Sequence, residues 1–178
     1  GHEDGIDYLV MEYLEGQTLA DILRNGPMST EELYRYGTQI ADALDSAHRK
    51  GLIHRDLKPG NVIITREGAK LLDFGLAKLK IEQGAVEGIS HITQTTPLTG
   101  AGTIIGTVQY MAPEQLEGQE ADARSDIFAF GALLYEMATG RSAFSGNSQA
   151  SLIASILKEE PRPMSEVVAM TPPALERL

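Results

Sequence analysis

The stretch LIHRDLKPGNVIIT, Leu52 to Thr65, constrains the fold of this chain more than any other. His, Arg, Asp, Lys and Asn crowd its head, and Val and Ile fill its tail. A solvated loop has no use for the apolar tail, and a buried strand does not tolerate the charged head. Both are served if a rigid loop presents polar groups at the mouth of a packed domain and then enters it as a strand. A core must therefore lie beneath the loop. With 42% hydrophobic residues over 178 positions, the chain has material for one domain or most of one.

The flanking patterns supply the elements of that core. Residues Ile6 to Tyr13 are β-branched and aromatic enough to predict a strand. A short helix is expected after Thr18 as its cap, with Leu19, Ile22 and Leu23 as its apolar stripe and Gly26 closing it. Ser29 and Glu32 have capping-box spacing, and Leu33, Gly37, Ile40, Ala41, Leu44 and Ala47 recur at helical intervals until Gly51. NVIIT-REG-AKLLD predicts two short strands joined at Glu67-Gly68. From Phe74 to Gly106 the periodicity fades, and a stretch that long is usually functional or disordered. An apolar helix is expected from a Ser125 cap to Gly140, another over SQASLIASILKEE before Pro161, and the start of one more in TPPALERL. These elements predict a mostly α chain with small β-hairpins, an α+β fold.

Charge and composition exclude several partners. A net charge of −10 and a pI near 4.8 disfavour nucleic acid and anionic membranes, which attract clustered Lys and Arg. The absence of cysteine excludes disulfides and thiolate metal sites and is in keeping with the cytosol. The longest apolar run, IFAFGALLY, falls short of the roughly 20 residues needed to span a bilayer. No membrane contact is expected from this segment. The chain opens at Gly1 inside what reads as structure, so a piece of a longer protein is expected.

The polar head has a definite chemistry. An extended loop aims Asp56 and Lys58 at one point, and Asn61 adds a neutral hard oxygen of the type Mg²⁺ accepts. Asp73 ends the strand expected to pair with the one Asn61 begins, so the two fall side by side. A metal to neutralise phosphate, a lysine to hold it and an aspartate to take a hydroxyl proton make a phosphoryl-transfer kit.

The sequence His54-Arg55-Asp56-Leu57-Lys58-Pro59-Gly60-Asn61 resembles the catalytic loop of protein kinases. Asp73-Phe74-Gly75 resembles their magnesium-binding triplet, and Ala112-Pro113-Glu114 the end of their activation segment. Lys58 and Thr107 match the serine/threonine pattern, and Pro-Gly-Asn with GTVQYMAPEQ resembles the bacterial, eukaryotic-like members. The resemblance covers essentially the whole chain but only part of a kinase domain. It implies the final small-lobe strand and hinge over 1–14 and the helical large lobe over 15–178, cut before its last helices.

From the resemblance, Asp56 is the expected catalytic base, Lys58 the contact to the transferred phosphate, and Thr107 a hydroxyl bridging them. Asn61 and Asp73 are the expected metal ligands. Glu12 and Leu14 would meet adenine through their backbone, with Met11 as gatekeeper and Ile63 beneath the ring. Asp126 would hold the loop's backbone, Arg55 would pair with a phosphorylated activation loop, and His54, Phe74, Gly75 and Glu114 would be structural. Glu114 is expected to lack its ion-pair partner in this chain. Thr103 leads the phosphosite candidates, followed by Thr99, Thr95 and Thr96. His2, His48 and His91 lack the spacing of metal ligands.

The implied function is transfer of the ATP γ-phosphate to Ser or Thr hydroxyls of proteins, with Mg²⁺ or Mn²⁺ as cofactor. Autophosphorylation through self-association is expected of the intact parent, which would be cytoplasmic or membrane-anchored by a segment outside this chain. The glycine-rich loop, the small-lobe lysine and its glutamate partner have no match here, so residues 1–178 alone are expected to be inactive. Two other readings are a pseudokinase scaffold and a small-molecule phosphotransferase. The intact Asp56, Asn61 and Asp73 argue against the first, and the Ala-Pro-Glu platform against the second.

Overall fold

A computed structural model describes residues 1–3, 6–8, 10–74, 108–168, 172 and 175. Two helices organise the core. The first, α2 (Thr30–His48), opens with the anticipated capping box: Ser29 Oγ accepts from the Glu32 amide at 3.3 Å and Glu32 returns to the Ser29 amide at 3.1 Å. Its stripe of Leu33, Gly37, Ile40, Leu44 and Ala47 is buried, while Ala41, which the spacing also placed on that face, is half-buried. The second, α4 (Ala123–Thr139), is buried nearly all round. A Cβ on Gly37 would sit 3.0 Å from Leu134, so this glycine lets the two helices approach closely.

The cap of α4 differs from the expected one. Asp122, not Ser125, accepts the first-turn N–H, from Arg124 at 2.8 Å. Both residue types cap well, and tertiary structure chose between them by giving the Ser125 hydroxyl to Glu114 at 2.5 Å. Gly140 ends the helix in the left-handed region at φ 67°.

Sheet order is β3 (Gly16–Thr18), β4 (Val62–Thr65), β5 (Ala69–Leu71), all antiparallel. The β4–β5 hairpin is the anticipated one, with Val62 opposite Leu71 and Ile64 opposite Ala69. The third strand was not foreseen: β3 immediately precedes α1 (Leu19–Leu23), whose cap is Thr18. Arg24 is the C-cap, and Gly26 lies beyond it at φ 119°. The strand expected over Ile6–Tyr13 is cut short. Only β1 (His2–Glu3) and β2 (Ile6–Asp7) pair, and residues 10–15 carry no strand. Val10, Met11 and Tyr13 are 82%, 67% and 86% exposed. Strand propensity expresses packing on a pleated, half-buried surface, and these side chains find none.

Three short or later helices complete the described chain: α3 (Pro113–Leu116), α5 (Gln149–Lys158) and α6 (Met164–Val167). The first and last were not anticipated. Leu19, Ile40, Leu57, Leu133 and Met137 centre the main core, and Val108, Phe144, Leu152 and Ile156 form a second cluster under α5. Of the expected TPPALERL helix, only Pro172 and the buried Leu175 are described. The fold is mostly helical with small antiparallel sheets. Among the described residues, no helix is long and apolar enough to cross a membrane.

Candidate active site

Between α2 and β4 the chain forms a loop whose backbone is held by side chains at His54, Arg55 and Asp56. Leu57 and Pro59 are buried beneath it and tie it to the core. Asp126, 1% exposed on α4, accepts from the His54 amide through Oδ2 and the Arg55 amide through Oδ1, each at 2.8 Å. His48, at the last turn of α2, meets the same Oδ2 through Nε2 at 2.7 Å. The Asp56 amide donates to His54 Nδ1 at 3.4 Å. Arg55 sits at φ 68°, in the left-handed region that disfavours a side chain. Such a conformation persists only where its surroundings over-determine it, and Asp126 is the first of those constraints.

The polar side chains converge on Asp56. Lys58 Nζ donates to both of its carboxylate oxygens at 2.8 and 3.0 Å, with Lys58 25% and Asp56 34% exposed. Asn61 Nδ2 donates to the Asp56 carbonyl at 2.7 Å and to Oδ2 at 3.0 Å. A turn of 3₁₀ helix over Pro59–Asn61 carries Asn61 into β4. From the other arm of the hairpin, the Leu72 amide donates to the Asn61 carbonyl at 2.9 Å. That bond brings the backbone before Asp73 against the backbone of Asn61. Asp73 is exposed, at φ 60°, and Phe74 lays its ring 4.7 Å from that of His54.

His54 is fully buried, and its Nε2 meets no hydrogen-bond partner within normal reach among the described residues. Burial holds its imidazole below the ordinary value, against the pull of the Asp126 and Asp56 carboxylates. The unfolded chain takes up this proton near pH 6.5 and the folded chain only at lower pH. Between those two points the unfolded state binds more protons, so stability falls as the pH drops below about 6.5. In His54→Phe, the urea midpoint should fall less between about pH 7.5 and about pH 5.5 than in the wild type. An equal fall in both proteins would show that another group titrates.

The remaining sequence candidates divide. Glu12 and Leu14, with Tyr13 and Glu15, face Thr65, Arg66 and Lys70 of the hairpin across a cavity of about 250 Å³. Ile63 pairs with Thr18 and packs against Gly16, where a Cβ would come 2.7 Å from its Cγ2. Met11 is exposed. The Arg55 guanidinium has no partner among the described residues. Glu114 forms no ion pair among them either, but its carboxylate is not idle: Ser125 donates to it. Gly75, Thr95, Thr96, Thr99, Thr103 and Thr107 lie outside the described residues.

Five residues of the site carry roles that no sequence motif announces. His48, which lacks the spacing of a metal ligand, follows Leu44 by one helical turn, so the α2 stripe itself points it at the core. Gln115 donates through Nε2 to the Arg55 carbonyl at 3.0 Å. Ser125 holds Glu114, and Glu136 accepts the hydroxyl of Tyr110. Burial and the Glu136 carboxylate push the Tyr110 phenol far up. These two residues, with Leu23, Arg24, Lys58 and Gly60, line a cavity of about 290 Å³ that opens beside Lys58.

The donor set suits a hard divalent cation. Asn61 spends its amide nitrogen on Asp56, which leaves its oxygen without a donor among the described residues, and Asp73 offers an exposed carboxylate. No cluster of three His, Asp or Glu capable of holding a metal occurs among the described residues. Mg²⁺ needs no such cage, since it takes one or two protein oxygens and completes its shell with water and phosphate.

A polar loop held between two core helices, opening onto a hairpin, is the build of a kinase-like large lobe. The chain belongs to the protein kinase domain family, whose model matches residues 2–176. It is 38% identical over 174 residues to a Bifidobacterium longum protein named "Probable serine/threonine-protein kinase PknB", covering 97% of this chain and 24% of that one. It is 39% identical over 162 residues to the serine/threonine-protein kinase PknB of Mycobacterium tuberculosis, covering 90% and 24% respectively. The corresponding protein of Mycobacterium leprae is 38% identical over 163 residues, again with 90% and 24% covered. The chain thus spans about a quarter of the length of these curated relatives.

Proposed function

We propose that the protein carrying this chain is a serine/threonine protein kinase that transfers the ATP γ-phosphate to hydroxyls of protein substrates. The observation that carries this reading is the joint hold of Lys58 and Asn61 on the Asp56 carboxylate, each within 3.0 Å, on a loop pinned from beneath. Asp56 accepts the proton of the substrate hydroxyl, and its two hydrogen-bond donors keep its carboxylate aimed at one place. Lys58 reaches the transferred phosphate. Asn61 and Asp73 would hold Mg²⁺ or Mn²⁺, which neutralises phosphate charge when bound. Glu12, Leu14, Met11 and Ile63 would receive adenine, and Thr107 would bridge Asp56 and Lys58.

The finer expectations belong to the same proposal. Arg55, whose guanidinium is unpartnered among the described residues, would receive a phosphate on Thr103, Thr99, Thr95 or Thr96. Autophosphorylation between two copies would place it there. The site works in the cytoplasm, and residues 1–178 alone turn over poorly because the small-lobe clamp on ATP has no counterpart in this sequence.

The test is label transfer from γ-labelled ATP by the intact protein, to itself and to a generic protein substrate. Chelation of divalent ions, or Asp73→Ala, should lower the label by about a hundredfold or more. Labelling that survives Asp73→Ala would overturn the metal assignment. No transfer by the wild type under any divalent ion would favour a scaffolding role.

A further inference from the structure

Gln115 occupies a position that no part of the proposed chemistry calls for. It sits in α3, a helix of one turn, and is half-buried. Its Oε1 accepts from the Ala112 amide at 3.0 Å, and its Nε2 donates to the Arg55 carbonyl at 3.0 Å, across 60 residues of sequence. An amide N–H demands an oxygen and a carbonyl demands a nitrogen, so the two partners fix which way the side chain points.

The Arg55 end of this bridge is the strained one. At φ 68° the residue stands in a conformation that non-glycine residues rarely adopt. Its N–H is taken by Asp126 Oδ1 and its C=O by Gln115 Nε2, so both polar backbone groups of Arg55 are gripped by side chains from distant elements. The next residue is Asp56. Rotation about Arg55 would swing Asp56 away from Lys58 and Asn61.

We propose that Gln115 is a positioning residue that couples the end of the activation segment to the catalytic loop. It locks the left-handed turn at Arg55 and thereby aims the Asp56 carboxylate. The proposal rests on the kinase reading for its effect on turnover, but not for its effect on the loop. Asp126 holds the loop from the core side; Gln115 holds it from the segment that follows residues 75–107. When α3 shifts, the carbonyl loses its donor and the base loses its aim.

Two variants separate the bridge from the small helix that bears it. Gln115→Glu keeps an acceptor for Ala112 and replaces the donor facing Arg55 with an oxygen; Gln115→Leu removes both. In the intact protein, Gln115→Glu should lower kcat by about tenfold, the worth of one good hydrogen bond, with KM for ATP changed less than about twofold. Gln115→Leu should lower kcat by a comparable or smaller factor. In both, amide exchange at Arg55 and Asp56 should quicken by about tenfold while amides within α2 and α4 keep their rates.

Unchanged kcat and unchanged exchange at Arg55 and Asp56 would overturn the proposal. So would a uniform rise in exchange across α4 with a matching loss of Tm, which would mark a purely structural residue. If the wild-type protein transfers no phosphate, the functional reading fails and the exchange measurement alone decides the bridge.

Discussion

In the intact protein, Asp56→Asn should leave the fold in place and lower kcat for the proposed phosphate transfer by about 10²–10⁴-fold, the usual contribution of a positioned general base. The substitution is nearly isosteric and keeps one oxygen to receive Lys58 and Asn61, which now donate at 2.8 and 3.0 Å to the same Oδ2. The Asp56 carbonyl, which Asn61 also holds at 2.7 Å, is untouched. What disappears is the capacity to accept a proton from the attacking hydroxyl. The defect should fall on kcat, with ATP affinity changed by no more than a few-fold, as expected for an interaction made mainly in the transition state. Retention of more than about a tenth of wild-type turnover would remove Asp56 from the role of base.

Asp126→Ala should destabilise the fold by about 3–5 kcal/mol in urea denaturation. The carboxylate is 1% exposed and is the shared acceptor of the His54 amide, the Arg55 amide and the His48 ring. Truncation leaves the buried His54 N–H without its partner, at about 1–3 kcal/mol, strips the half-buried Arg55 N–H of its own, and opens a void between α2 and α4. It also frees Arg55 to leave the left-handed region, so turnover should collapse along with stability. Asp126→Asn should fall between: one oxygen still accepts, while the amide nitrogen opposes a donor. A loss below about 1 kcal/mol for the alanine variant would show that water replaces the carboxylate, and that the loop is held chiefly by Leu57 and Gln115.

These expectations differ in how far they were visible beforehand. The α2 helix was legible because everything that makes it is local: the Ser29–Glu32 capping box spans three residues, and the stripe from Leu33 to Ala47 repeats at 3.6. The hairpin was legible for the same reason, its strands being joined by a tight turn at Gly68, φ 135°. The strand expected over Ile6–Tyr13 failed because side-chain type states a preference and a partner surface must satisfy it. The cap of α4 was misplaced because Asp122 and Ser125 are equally good caps in isolation. Only the approach of Glu114 claimed the serine.

The chain's own order of residues determined the family, the presence of a loop rich in Asp, Lys and Asn, and the helices that carry it, since these follow from short-range spacing. Tertiary structure decided which groups hold that loop in place. Asp126 with His48, across 78 positions, and Gln115 with Arg55, across 60, are pairs that no local pattern announces. Buried polar groups must find partners wherever folding delivers them, and that delivery is a property of the packed chain rather than of any window along it.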